Sequence, residues 1–340
     1  MTNYYYSVLT DNNKKLYNDM LSAIRHSSPS ATFCIPADSD DIIQTYSSIL
    51  YDNPDIFHMN ISHIKHALAV KRVDFSYMYT GDELSERKNA LNKTVEDIIN
   101  RFGDCSKKSQ QMICLQIHNY LIRTVTYDNE AVKNSYDSAP DSYTAYGALV
   151  NKKAVCHGIS LAFKLLCDKY GVPCFIATGN VNKKDGSTEP HSWNIVYIDG
   201  RYAHIDVTWD LSVSLSSGRN RFDYFLINDE EITVDRSFSR NYPVSKNTSG
   251  LGYFHSTGRY FTNMKDLRDY IKAQADSKPD FICFKLEKSK FLTDDVLKGI
   301  LDKVDEAVAG VLCTGGQYYT IHNKRQLVFF YGIEYSHRFT

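Results

Sequence analysis

The sequence predicts an α+β fold in three parts, and three observations carry that expectation. At roughly 150 residues per domain, a chain of 340 residues has material for two or three compact units. Helical stripes alternate with strand-like runs, and one pair of runs is joined by Asp199-Gly200, the strongest short-range hairpin signal a sequence carries. A stretch rich in Ser, Asn and Gly, from Phe238 to Gly258, reads as a linker. The expected division is a helical or α+β domain over 1–104, a core over 105–245 and a small α+β domain over 256–340.

In the first part, spacings of three and four residues predict helices at Asn12 to His26, Ser39 to Leu50 and Ser85 to Phe102, with an alternating stretch from Ile64 to Tyr79. The core begins with a helix from Ser106 to Val125. A polar loop then leads to Ala154-Val155-Cys156-His157-Gly158 and the stripe Ile159, Ala162, Phe163, Leu166 and Tyr170, closed by Gly171-Val172-Pro173. Cys156 therefore stands at a helix N-terminus. Strands follow at Cys174 to Thr178, His191 to Ile198 and Arg201 to Val207, then a loop from Ser212 to Asn220. The last part alternates helix (Met264 to Gln274), strand (Phe281 to Leu286), helix (Thr293 to Val308) and two strands (Tyr318 to His322, Leu327 to Tyr335).

Lys plus Arg number 39 and Asp plus Glu 40, a formal net charge of -1, so no global field recruits nucleic acid or an anionic membrane. No run of 18 apolar residues exists and Met1-Thr2-Asn3-Tyr4 opens with neither a basic nor an apolar leader, which reads as a cytoplasmic chain as it stands. A secreted or cell-surface protein already stripped of its signal would read the same. Eight cysteines without a C-x-x-C pair argue for reduced thiols, and the 25 tyrosines are spread as packing material.

If Asp199-Gly200 is a two-residue turn, Ile198 faces Arg201 and Trp193 faces Asp206. His191, Trp193, His204, Asp206 and Thr208 then share one face, with Asp206 the diagonal neighbour of His191. Such an aspartate holds the histidine's tautomer and stabilises its charged form. The pair needs a nucleophile, and Cys156 lies on the inward face of its helix, where unpaired N–H groups and the dipole favour a thiolate and can bind a developing oxyanion. Cysteine, histidine and aspartate in that order follow the logic of papain-like catalysis.

These residues resemble a known family. Ile117-His118-Asn119-Tyr120-Leu121, Thr126-Tyr127-Asp128, Ala145-Tyr146-Gly147-Ala148-Leu149-Val150, Val155-Cys156-His157-Gly158, His191-Ser192-Trp193-Asn194 and the run from Asp199 to Asp210 resemble the core of the transglutaminase-like superfamily. The likeness is greatest to its bacterial branch, whose members carry a segment similar to Asp223 to Glu231 after the aspartate strand. The resemblance covers roughly 110 to 243. It implies a papain-like core, with the cysteine helix packed on an antiparallel sheet, and Cys156 as nucleophile, His191 as base and then acid, and Asp206 as orienting carboxylate. The family often has glycine where this chain has Ala154, and the calcium requirement of its animal members has no EF-hand-type acidic loop here.

Blander readings stand beside these. His58, His63 and His66 lack acidic or thiol partners at ligand spacing and read as ordinary histidines. His157 and His204 are rivals for the base, the second a packing or substrate-adjacent residue. Trp193 and Trp209 read as core or cleft-wall aromatics, Tyr127 and Tyr146 as buried packing residues, and Cys167 and Cys174 as structural thiols. The sequons at Asn60, Asn92 and Asn247 are of a kind expected by chance. The expectation is a cofactor-free, metal-free enzyme that transfers acyl groups from amide bonds of a peptide or protein substrate, by hydrolysis as a protease or deamidase. Alternatives are a protein cross-linking transglutaminase and a catalytically inactive binding module.

Overall fold

The structure, a computed structural model, describes residues 3–60, 64–134, 136–183, 185–287, 294–312 and 316–335. His63, Thr293 and Cys313 lie outside the described residues. The chain divides into two compact units, 1–208 with 237–244, and 209–236 with 245–340.

The first unit contains helices α1 (Tyr4–Val8), α2 (Asp11–Arg25), α3 (Ser39–Asp52), α4 (Gly81–Phe102), α5 (Gln110–Thr124), α6 (Asn129–Lys133), α7 (Ala145–Leu149) and α8 (Cys156–Lys169). Its strands are β1 (Ser30–Thr32), β2 (Lys65–Ala67), β3 (Arg72–Asp74), β4 (Thr126–Tyr127), β5 (Lys153–Ala154), β6 (Cys174–Asn182), β7 (Thr188–Ile198) and β8 (Arg201–Ile205). Thr10 caps α2 by accepting from Asn13 N–H at 3.2 Å, and Asp38 and Asp41 form a reciprocal capping box on α3. Leu16, Met20 and Ile24 of α2 meet Ile42, Tyr46 and Ile49 of α3 over Val73, a core closed by the three-stranded sheet β1-β3-β2. The alternation from Ile64 to Tyr79 thus yields only two three-residue strands around a short 3₁₀ turn.

Around α8 the expectation of a cysteine helix on an antiparallel sheet holds. The helix is buried from Gly158 to Cys167 without a break, and β6, β7 and β8 pair antiparallel in chain order. The β7–β8 register runs from Asn194↔Ile205 to Ile198↔Arg201, the register required by a two-residue turn. Asp199 (φ 49°) and Gly200 (φ 77°) both adopt the left-handed conformation that such a turn demands. Gly158 serves close approach instead. A Cβ there would sit 2.5 Å from the Ser142 carbonyl oxygen and 2.8 Å from that of Thr144, so only glycine lets the first turn of α8 lie on that backbone.

Two expectations are corrected. The strand after the turn ends at Ile205, and α9 (Val207–Ser217) replaces both its end and the expected loop. The serines behind the loop reading satisfy themselves within the helix: Ser214 Oγ donates to Asp210 O at 2.6 Å and Ser217 Oγ to Ser214 O at 3.3 Å. Thr208 is therefore helical and not on the sheet face. The supposed linker is also built structure, with Ser245 and Asp229 exchanging two bonds of 2.9 Å and Leu251 and Phe254 buried.

The second unit adds β9 (Phe225–Ile227), α10 (Asp229–Ile232), β10 (Arg236–Phe238, which runs on into the first unit), α11 (Tyr253–Ser256), β11 (Tyr260–Phe261), α12 (Met264–Asp276), β12 (Phe281–Leu286), α13 (Asp294–Leu312), β13 (Gly316–Asn323) and β14 (Val328–Tyr335). Its sheet has the order β11-β12-β14-β13, and Leu267, Ile271, Val304 and Val308 pack with Ile282, Phe284, Phe329 and Tyr331. Among the described residues no helix is long and apolar enough to cross a membrane.

Gly158→Ala tests the close approach: overpacking of this kind costs about 1–3 kcal/mol. Urea unfolding should show that loss, and an unchanged midpoint would mean the backbone yields freely.

Candidate active site

Cys156 is placed by backbone bonds on its N-terminal side. Thr126 and Tyr127 of β4 pair in parallel with Lys153 and Ala154 of β5. Asp128 N–H donates to Ala154 O at 3.0 Å and Val155 N–H to Ser142 O at 2.9 Å. Asp128 in turn accepts from Ser142 Oγ at 2.6 Å and pairs with Lys153 at 3.1 Å. This scaffold delivers Cys156 as the first residue of α8, half-buried, behind an N-cap (Val155) whose side chain caps nothing. The opening N–H groups of α8 therefore receive no side-chain acceptor from their cap, the arrangement that suits an anion or a developing oxyanion.

Asp206 follows directly on β8, fully buried, and its Oδ2 lies 2.8 Å from Nε2 of His191, itself 7 % exposed. Burial lowers the affinity of His191 for a proton, but the Asp206 carboxylate opposes it by charge and hydrogen bond, and Cys156 adds a side-chain hydrogen bond and its charge. The balance raises His191 to about 9. The three residues expected from the sequence thus meet in one place, with Nδ1 the ring nitrogen that Asp206 leaves open. The Trp193 ring lies nearly parallel to His191, at 5.9 Å and 18°, and its Nε1–H donates to His204 Nδ1 at 3.0 Å. That bond makes His204 an acceptor, which fixes its tautomer and keeps it from the part of base. His157 instead meets Ser192 Oγ at 3.4 Å and the Tyr51 ring edge-on, and burial lowers it to about 4.

The remaining sequence candidates are dispersed. His58 stacks on Tyr77 and is held down to about 4 by burial, while His66 bonds Ser39 Oγ at 2.9 Å. Among the described residues no group of three or more His, Cys, Asp or Glu is arranged to hold a metal ion. Trp209 carries the Arg236 guanidinium 4.8 Å above its ring, and Tyr146 stacks on Phe57 at 4.9 Å. Cys167, a free thiol, is in hydrogen-bond contact with the free thiols of Cys114 and Cys174, and burial pushes its pKa well up, away from reactivity.

Two residues carry more of the site than their place in the motifs suggests. Asn194 Nδ2 donates to Ser160 O at 3.0 Å, and Ser160 Oγ donates to Cys156 O at 2.8 Å, which ties the histidine strand to the cysteine helix one turn below the thiol. His118 of α5 is fully buried within electrostatic reach of Asp206, and burial lowers it to about 3, so it faces the carboxylate as a neutral ring. No spacing rule signals either role, since each depends on which elements stack.

A half-buried cysteine at a helix N-terminus, with a carboxylate-held histidine on the adjacent sheet, defines the class of thiol, imidazole and carboxylate sites on an α+β core. Residues 103–207 match the family model described as the transglutaminase-like superfamily, and the chain carries a transglutaminase-like domain there. Among solved structures, a TGase is similar at 16% identity and a TM-score of 0.31, over 53% of this chain and 50% of that one. A candidate cysteine protease from Cytophaga hutchinsonii is similar at 19% identity and 0.28, over 35% and 37%. This chain thus spans about half or less of the length of those proteins. No curated protein matches.

The raised His191 has a thermodynamic consequence. Its folded value of about 9 exceeds the ordinary value, so its contribution to stability is fully present below pH ~6.5 and is lost as pH rises towards 9, in total about 3 kcal/mol. Urea unfolding at the two ends of that window should show the loss in the parent and its disappearance in Asp206→Asn; an equal slope in both would remove Asp206 as the cause.

Proposed function

We propose that the chain is a cysteine hydrolase acting on amide bonds of peptides or proteins, with Cys156 as nucleophile, His191 as proton carrier and Asp206 as its orienting carboxylate. The observation that supports it is the buried 2.8 Å bond from His191 to Asp206 beside the Cys156 thiol. The Cys156 proton passes to His191 and the sulfur attacks the amide carbon, forming C–S while the carbonyl pair moves onto oxygen. As that pair returns, C–N breaks and the His191 proton leaves with the amine. Water, deprotonated by His191, then attacks the thioester, releases the carboxylic acid and restores the thiol. On a backbone amide the net reaction is cleavage, and on a glutamine side chain it is deamidation. A lysine amine in place of water would give a cross-link.

Limiting iodoacetamide read by intact mass provides the test. Cys156 should be alkylated at least ~10-fold faster than the exposed Cys34, and His191→Ala should remove that advantage, with Cys156→Ala confirming the residue. Equal rates at Cys156 and Cys34 would defeat the reading. A glutamine-containing peptide library, incubated with and without a primary amine, then separates new acids from amine adducts.

A further inference from the structure

The face of β7 that carries His191 runs from the core out to solvent. Alternate positions of a strand share a face, so Trp193, His191 and Glu189 form one row, spaced about 7 Å from one to the next. Along it Trp193 is fully buried, His191 is 7 % exposed and the Glu189 side chain is 42 % exposed. The Glu189 carboxylate therefore stands where the row meets water, one position outward from the imidazole that faces Cys156. Its backbone is held in two ways. Glu189 is the register partner of Val181 in the β6–β7 pair, and the following Pro190 confines it to extended backbone. Tyr127 marks the same neighbourhood: burial raises its pKa, and the charges of Cys156 and Glu189 both add to the rise.

The ion-pair partner of Glu189 is Lys183, with Nζ at 2.7 Å. That lysine lies one residue past the end of β6, and its side chain is 48 % exposed. A pair so open holds little, because water and salt screen it and two long side chains must be kept in one geometry. The other carboxylates beside the thiol are more firmly committed. Asp206 is fully buried against His191, and Asp128, buried as well, accepts from Ser142 Oγ at 2.6 Å and pairs with Lys153 at 3.1 Å. Glu189 thus holds a cation that another cation can replace.

We propose that Glu189 is a specificity-determining residue, the counter-ion for a lysine or arginine side chain of the substrate two residues from the amide that Cys156 attacks. The spacing comes from the strand: His191 and Glu189 are two residues apart, and an extended peptide repeats its side chains on one side at the same interval. The group it receives is cationic because the carboxylate is fixed on a strand before a proline, whereas Lys183 stands past the strand end on a flexible, exposed stem. This rests on the reading of Cys156 as nucleophile and extends it to a substrate class, amide bonds in basic segments of a peptide or protein. An acidic residue at the same place meets repulsion, so the discrimination acts in both directions.

Small thiol reagents that differ in charge provide the test. Methanethiosulfonates bearing a 2-aminoethyl, a 2-sulfonatoethyl or a methyl group form a disulfide with Cys156 in the full chain, and peptide mapping by mass gives the rate at that residue. The readout is the cation-to-anion rate ratio at Cys156, divided by the same ratio for free 2-mercaptoethanol. Glu189→Gln should lower it ~5-fold, Glu189→Lys should lower it ~20-fold, and Lys183→Met should raise it ~3-fold, each change shrinking at high salt. Both side chains are nearly half exposed, so the variants should keep the parent's unfolding midpoint. A ratio unchanged in Glu189→Gln overturns the proposal, including the case in which all three rates fall together and Glu189 acts on the thiol itself. A ratio that falls in Lys183→Met gives this position to anionic groups and overturns it as well. A parent whose Cys156 does not take the neutral methyl reagent fails one step earlier, at the nucleophile reading, before the charged reagents are compared.

Discussion

The hydrogen bond between His191 and Asp206 is the constraint that the surrounding structure serves. It needs β7 and β8 in one register, because a slip of one residue would turn every side chain of the second strand to the opposite face. Asp199 and Gly200, both at positive φ, hold that register from the turn end. The second strand stops at Ile205, so Asp206 lies one residue past it, where the chain turns into α9. An aspartate inside the ladder would sit directly opposite Trp193. Placed past its end, it reaches back to the histidine.

The same economy holds Cys156 against this pair. Gly158 lets α8 lie on the backbone of Ser142 and Thr144, the β4–β5 pair fixes the residues before the thiol, and Asn194 ties β7 to the first turn of α8 through Ser160. Each contact joins segments far apart in sequence, so the site is a product of packing and not of any local motif. A net hydrogen bond stabilises by only about 1 kcal/mol, but leaving one partner buried without the other costs more, which makes the set intolerant of single losses.

Much of this was legible in the sequence. The α8 stripe, its Gly171-Val172-Pro173 stop and the Asp199-Gly200 turn are local signals, and local signals give elements and their register. The meeting of Cys156, His191 and Asp206 followed from that register and from the inward face of α8. What sequence could not carry was the fate of polar segments. Serines at Ser212 to Ser217 read as loop because serine favours turns, yet here they bond carbonyls of their own helix. The stretch through Ser245 and Leu251 read as linker because its composition is polar, while a few apolar side chains and paired backbone groups bury it. Asn194 and His118 were visible only as letters in motifs, because what each touches depends on how α5, α8 and β7 stack.

The buried histidines differ in proton affinity because their neighbours differ. Burial acts on all of them in the same direction, disfavouring the charged ring: His118 falls to about 3, and His58 and His157 to about 4. His118 even feels Asp206, but that charge does not offset its complete enclosure. His191 combines direct bonding to a carboxylate with a hydrogen bond to the Cys156 thiol, and it rises instead, to about 9. A ring so held is protonated at neutral pH. Neighbours rather than burial therefore set which buried ring keeps a proton. His204, on the same face as His191, accepts at Nδ1 from the indole that stacks on the His191 ring.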